Sequence, residues 1–127
     1  MTGVVDFRPA LRAYLAENAR PLHKFGHQPR LYALTRQIGA GLDYDDDVVC
    51  AAAWLHDLGV FIGHRPEDPA LLVHWDHVFY ATGKAPGLLR SMGFPAEKIE
   101  SVLEVVRTHQ AHDDPRSLEA IIVRDAD

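Results

Sequence analysis

The stretch Asp45-Asp46-Asp47-Val48-Val49-Cys50-Ala51-Ala52-Ala53-Trp54-Leu55-His56-Asp57-Leu58-Gly59 decides how this chain is read. Three carboxylates followed by an apolar run describe a helix whose negative residues sit at its positive N-terminal end, with Gly59 as the stop. The run is far too short to span a bilayer, so it reads as a buried helix. Its alanines leave a narrow face on which neighbouring helices can approach closely. His56 and Asp57 close this helix. Neither belongs in an alanine-rich interior unless its polar groups are satisfied, so other parts of the chain must supply partners.

Working outward, Phe7, Leu11, Tyr14 and Leu15 follow helical spacing, with Asp6 as N-cap, Pro9 in the first turn and Arg20-Pro21 as the end. A second helix is predicted over about residues 29–38, with Leu31, Leu34 and Ile38 on one face and Gly39 and Gly41 as the stop. Four positions before Leu31 stands His27. Beyond Gly59, residues 63–69 read as a loop and residues 74–82 as a helix. Gly83, Pro86 and Gly87 interrupt that helix, and a separate short helix is expected over residues 86–92, closed by Gly93. Pro95 opens a helix with Ile99, Val102, Leu103, Val106 and His109 on one face. Asp114-Pro115 then reads as an N-cap and first helical position. In the helix they start, Leu118, Ile121, Ile122 and Asp125 lie near one face and Ala120, Val123 and Asp127 near the next. No strand pattern competes. The expectation is an all-α fold, a compact single-domain bundle of roughly five to seven helices over residues 1–127.

Composition narrows the function classes. At 127 residues, 47% hydrophobic and 24% charged, the chain has the make-up of a globular domain with one core. No basic region followed by an apolar stretch marks the start as a secretory signal. Cys50, the one cysteine, reads as a small core residue in a reducing compartment, and cytoplasm is the expected location. A net charge of −5 argues against nonspecific binding to nucleic acid or to anionic lipid. Nothing in the composition opposes a homo-oligomer. Eight histidines in so short a chain are the unusual feature, because imidazole is a preferred ligand of transition metals.

His27, His56-Asp57, His109 and Asp127 fall at the ends of four predicted helices, in or beside the core-facing register. One buried histidine is ordinarily a hydrogen-bonded core residue. Imidazoles and carboxylates from several helices aimed at one interior point are how a helical bundle holds a metal.

The residues also carry a resemblance. Ala51-Ala52-Ala53-Trp54-Leu55-His56-Asp57-Leu58-Gly59 resembles the apolar helix ending in Leu-His-Asp-hydrophobic-Gly of the HD superfamily of metal-dependent phosphohydrolases. His27-Gln28-Pro29-Arg30 is similar to that family's first histidine with an Arg three residues later. Gly93-Phe94-Pro95 through Thr108-His109, and then Glu119 to Asp127, resemble the later part of a bacterial HD subgroup with additional histidines. The likeness covers about residues 20–127, and its linked motifs are far more specific than an isolated His-Asp pair.

The resemblance implies that His27, His56, Asp57 and Asp127 ligate one ion. In two-metal subgroups Asp57 bridges to a second ion held by His77 and His109. His74 is the alternative to His77, and Asp125 the alternative to Asp127. In the family the chain continues past this aspartate, so the C-terminal helix is expected to be cut at Asp127. The implied cofactor is one or two divalent transition metals: manganese, iron, cobalt, nickel or zinc. The implied partner is a nucleotide or other small phosphate ester, hydrolysed by metal-activated water with His56 and Asp57 at the catalytic centre. Arg30 and Lys84 are candidate phosphate contacts. His23, His64 and His112 read as non-ligands. Two other readings use the same residues: a di-iron oxygenase, and a metal- or nucleotide-binding module without turnover.

Overall fold

The computed structural model describes residues 7–20, 26–109 and 117–127. Among them the chain forms seven α-helices and no strand: α1 (Phe7–Asn18), α2 (His27–Ile38), α3 (Asp46–Leu55), α4 (Pro69–Leu72), α5 (His77–Ser91), α6 (Ile99–Arg107) and α7 (Leu118–Ala126). Asp6, His23, His112 and Asp114-Pro115, to which sequence reading gave roles, lie outside the described residues.

Helix α3 is the axis of the bundle, in contact with α1, α2, α6 and α7. Every residue from Val48 to Leu55 is buried, which explains why its sequence is apolar all round rather than on one stripe. Ala51, Ala52 and Ala53 are fully buried. Asp45 caps the helix by accepting from the Asp47 backbone N–H at 3.0 Å. The acidic cluster is also where other elements tie on. Arg8 reaches Asp46 and Asp47 at 3.1 and 2.8 Å, and Lys98 reaches Asp45 and Asp47 at 3.0 and 3.1 Å. Tyr32 bonds Asp46, and the Asp45 N–H donates to Glu119 at 2.8 Å. These contacts tie the N-terminal end of α3 to α1, α2, α7 and the turn that leads into α6.

Three sequence expectations are corrected. The interrupted segment is a single helix, α5, running through Gly83, Pro86 and Gly87. An internal proline costs a helix about 3 kcal/mol. The buried row Ala81, Ala85 and Leu89, spaced by four and seated in the core, offsets that cost through packing. The short helix α4 was not expected. Its signal was Asp68-Pro69, an N-cap that accepts from Ala70 N–H at 2.9 Å followed by proline at the first helical position. Finally, Leu34 and Ile121 face outward at 40% and 38% exposure. The buried face of α2 is Gln28, Leu31 and Thr35, and that of α7 is Ala120, Ile122, Val123 and Ala126. Helix α7 is capped by Ser117, which accepts from Ala120 N–H at 3.1 Å.

Two of the glycines that geometry requires place α5. Gly93 ends α5 with φ of +79°, a conformation that disfavours a side chain. Gly59 lies in a 3-10 turn after the His56-Asp57 pair, and a Cβ there would come within 2.9 Å of the backbone of His77. This close approach seats the start of α5 against the turn.

Candidate metal centre

Six residues predicted from the sequence converge. His27 opens α2, His56 and Asp57 follow α3, His77 opens α5, His109 follows α6, and Asp127 follows α7. Their ligand atoms form three overlapping groups, each within 4.8 Å: His27, His56 and Asp57; His56, His109 and Asp127; Asp57, His77 and His109. Helix ends meet here because the core packs the helix bodies, leaving the polar residues that terminate them at one end of the bundle.

Two of the imidazoles are held in one orientation. His56 Nδ1 lies 2.8 Å from the Ala53 carbonyl, and His109 Nδ1 lies 2.6 Å from the Val106 carbonyl. A carbonyl can only accept, so each ring donates its Nδ1–H and turns Nε2 to the site. His56 Nε2 then faces Asp57 Oδ2 at 3.3 Å and Asp127 Oδ1 at 3.8 Å. His27 Nε2 stands 3.4 and 3.6 Å from the same two oxygens, and His109 Nε2 stands 3.9 Å from Asp127 Oδ2. The His56–His109 and His77–His109 ring centroids are 5.0 and 6.1 Å apart.

These separations are longer than hydrogen bonds. They approach the spacing between neighbouring ligand atoms around an ion with bonds of about 2.1 Å, which is about 3.4 Å in a tetrahedron. The decisive atom is His56 Nε2. It is completely buried and has no hydrogen-bond partner, although carboxylate oxygens surround it. A bare lone pair facing two carboxylates is repulsive, so the position calls for a positive charge, either a proton on the ring or a cation between ring and carboxylates. The residues present therefore fit a divalent metal.

Burial alone would keep His56 neutral, but the facing Asp127 and Asp57 outweigh it and raise the ring's proton affinity, so the acidic pair draws positive charge to Nε2, a proton or a cation. Burial also works against charge on Asp57, yet His56, and then His27 and His109, hold its carboxyl down at about 2. Asp127 is lowered chiefly by His56. His109 is lowered, first by burial and also by the neighbouring His56, which keeps its Nε2 free to coordinate.

The alternatives left by sequence reading fall elsewhere. His74 is exposed and belongs to no such group, and Asp125 is exposed beside Arg124. His64 bridges helices instead, 2.6 Å from the Tyr80 hydroxyl and 2.9 Å from Asn18 Oδ1. Arg30 is exposed one turn from His27, and Lys84 is exposed on α5 with Nζ 5.8 Å from the Tyr80 ring centroid. Neither forms an ion pair with the carboxylates of Asp57 or Asp127.

One residue near the site, Gln28, escaped sequence reasoning, and a second, Trp75, reads from the sequence as core packing or a base-stacking wall. Gln28, beside His27, is fully buried with neither amide atom hydrogen-bonded. Trp75 donates its indole N–H to the Gly59 carbonyl at 2.7 Å. Gln28 fell on the register of Leu31 and Thr35 and was detectable as a polar residue on a buried face. Trp75 depends on a tertiary contact with no local signature.

Among the described residues no helix is long and apolar enough to cross a membrane. Comparison of the chain with curated proteins and with solved structures gives no significant match. Residues 25–127, which contain all six converging side chains, match the family model of the HD domain, and the chain belongs to the HD domain family.

Proposed function

We propose that this protein is a metal-dependent phosphohydrolase that cleaves a nucleotide or other small phosphate ester. The observation that carries the reading is the fully buried Nε2 of His56 between Asp57 and Asp127, at the meeting point of three groups of ligand-type atoms, an arrangement that fits a cation. His27, His56, Asp57 and Asp127 would hold one ion. His77 and His109 would hold a second, with Asp57 shared, since Asp57 belongs both to the group with His27 and His56 and to the group with His77 and His109. When bound, a divalent cation supplies Lewis acidity, which eases loss of a proton from water and offsets charge on the phosphoryl oxygens.

The chain's own residues set the rest. The Ala53 and Val106 carbonyls fix the rings of His56 and His109, so their nitrogens need no reorientation when substrate arrives. Asp57, held anionic at neutral pH, is a cation holder and not a proton donor. His27, 41% exposed in its side chain, stands at the rim where a phosphate can enter. Cys50 is no rival nucleophile. It is buried, and burial raises its thiol to about 11.

The test is metal analysis of protein purified without chelator, then a screen of nucleotides and phosphate esters with the metal found. Phosphate release that chelation abolishes supports the reading. Iron at about two per chain with substrate-dependent oxygen uptake would replace it by oxygenase chemistry.

A further inference from the structure

Helix α5 has a flank that the core does not explain. Ala81, Ala85 and Leu89 turn it inward, whereas Phe79 on the far side is 76% exposed. Around Phe79 lies a groove of about 450 Å³, lined by Trp75, Phe79, Tyr80, Gly83 and Lys84. That size suits a small organic molecule. Its wall is aromatic and preset: Trp75 is pinned through its indole N–H to Gly59, and its ring centroid lies 5.3 Å from that of Tyr80. Its rim is cationic, because Lys84 lies within cation–π reach of Tyr80.

Gly59 links the groove to a candidate metal ligand. The same glycine that anchors Trp75 is in backbone contact with His77. Tyr80 follows His77 by one helical turn and Lys84 by two, so the groove extends roughly 10 Å along α5 from a candidate ligand. A nucleotide-sized molecule spans such a distance.

We propose that this groove receives the planar aromatic group of the substrate, a ring of nucleobase size, while the reacting phosphate lies at the metal centre. The proposal rests on the phosphohydrolase reading for the phosphate end and adds what lies at the other. Trp75, Phe79 and Tyr80 offer stacking faces that tolerate any base, and Lys84 favours an electron-rich or anionic substituent at the rim.

The experiment is tryptophan fluorescence of the full chain in chelator, titrated with AMP and, separately, with ribose 5-phosphate. AMP is expected to quench Trp75 while ribose 5-phosphate does not, and Trp75→Phe removes the quenching. The discriminating variant is Gly83→Leu. A side chain at Gly83 meets nothing within 4 Å, and leucine favours a helix more than glycine, so the fold is kept while the groove is filled. AMP should then bind about tenfold more weakly, or worse. Equal responses to AMP and ribose 5-phosphate, or unchanged AMP binding by Gly83→Leu, would overturn the assignment. So would a groove occupied by a second copy of the chain, seen as a dimer that Gly83→Leu dissociates and AMP does not affect. Failure of the hydrolase reading looks different: no ester is turned over with any metal, while selective AMP binding persists and the groove assignment stands.

Discussion

His56 and His109 hold the same posture on different helices, each giving its Nδ1–H to the carbonyl three residues earlier and turning Nε2 toward the acidic pair Asp57 and Asp127. The matched orientation turns both Nε2 atoms to the same acidic pair. The roles of the six residues are separable by mutation.

Asp57 is shared between two of the three ligand groups, whereas His27 and His77 each belong to one. Asp57→Ala should therefore weaken binding of both ions, leaving only the group of His56, His109 and Asp127 intact. His77→Ala should remove one ion and leave the site of His27 loaded. Metal content measured after equilibration with excess ion and desalting checks this. Equal loss in all variants would mean a single ion.

Gly59→Ala should be more damaging than a small surface change, because the new Cβ would meet His77 backbone atoms, which cannot swing aside. A cost of about 1–3 kcal/mol is expected from overpacking. Metal held by His77 should weaken with it, since α5 must move away from the turn. Thermal melts in chelator, read beside metal stoichiometry, separate the two effects.

The His64 bridge gives a pH dependence. Burial, and then the charge of Lys84, lower its proton affinity below the ordinary value of about 6.5, so the folded state favours the neutral ring. With a lowered folded value, this stabilisation is complete above the unfolded value and is lost as pH falls toward the folded one. His64→Ala removes bonds to Tyr80 and Asn18 and should cost about 1–3 kcal/mol at pH 8. The cost should shrink below pH of about 6.5, as urea unfolding of both proteins across that range would show. A constant difference would refute the assignment of a neutral bridge.

Arg8→Ala, by contrast, should change stability by less than about 1 kcal/mol despite its two carboxylate contacts, because the ion pairs are about one-third exposed. Urea denaturation in low and high salt checks it. A larger, salt-insensitive loss would show the acidic cluster to be structurally decisive.

Much of this arrangement was legible in the sequence, for identifiable reasons. His56-Asp57 stood out because they end a helix apolar all round, and His109 because it continues the stripe of Val102 and Val106. The choice of His77 and Asp127 came from resemblance, and the structure brings those two, and not His74 or Asp125, to the cluster. What could not be read was set by tertiary contact. Pro86 signals a break, yet α5 runs through it because Ala81, Ala85 and Leu89 are buried together. Leu34 looks like a core residue, but the place it would fill is taken by Gln28, Leu31 and Thr35. The place of Trp75 is set by its indole bond to the Gly59 carbonyl, sixteen residues away in sequence.

The account stands on His56 Nε2 as a metal-holding atom. Calorimetric titration of the chelator-stripped chain with manganese or zinc, for wild type and for His56→Ala, measures this directly, with circular dichroism confirming that both remain helical. The predicted result is saturable binding in wild type and a loss of affinity of roughly 100-fold or more in the variant, beyond what removing an outer hydrogen-bond partner causes. Binding of equal strength in both proteins would contradict it.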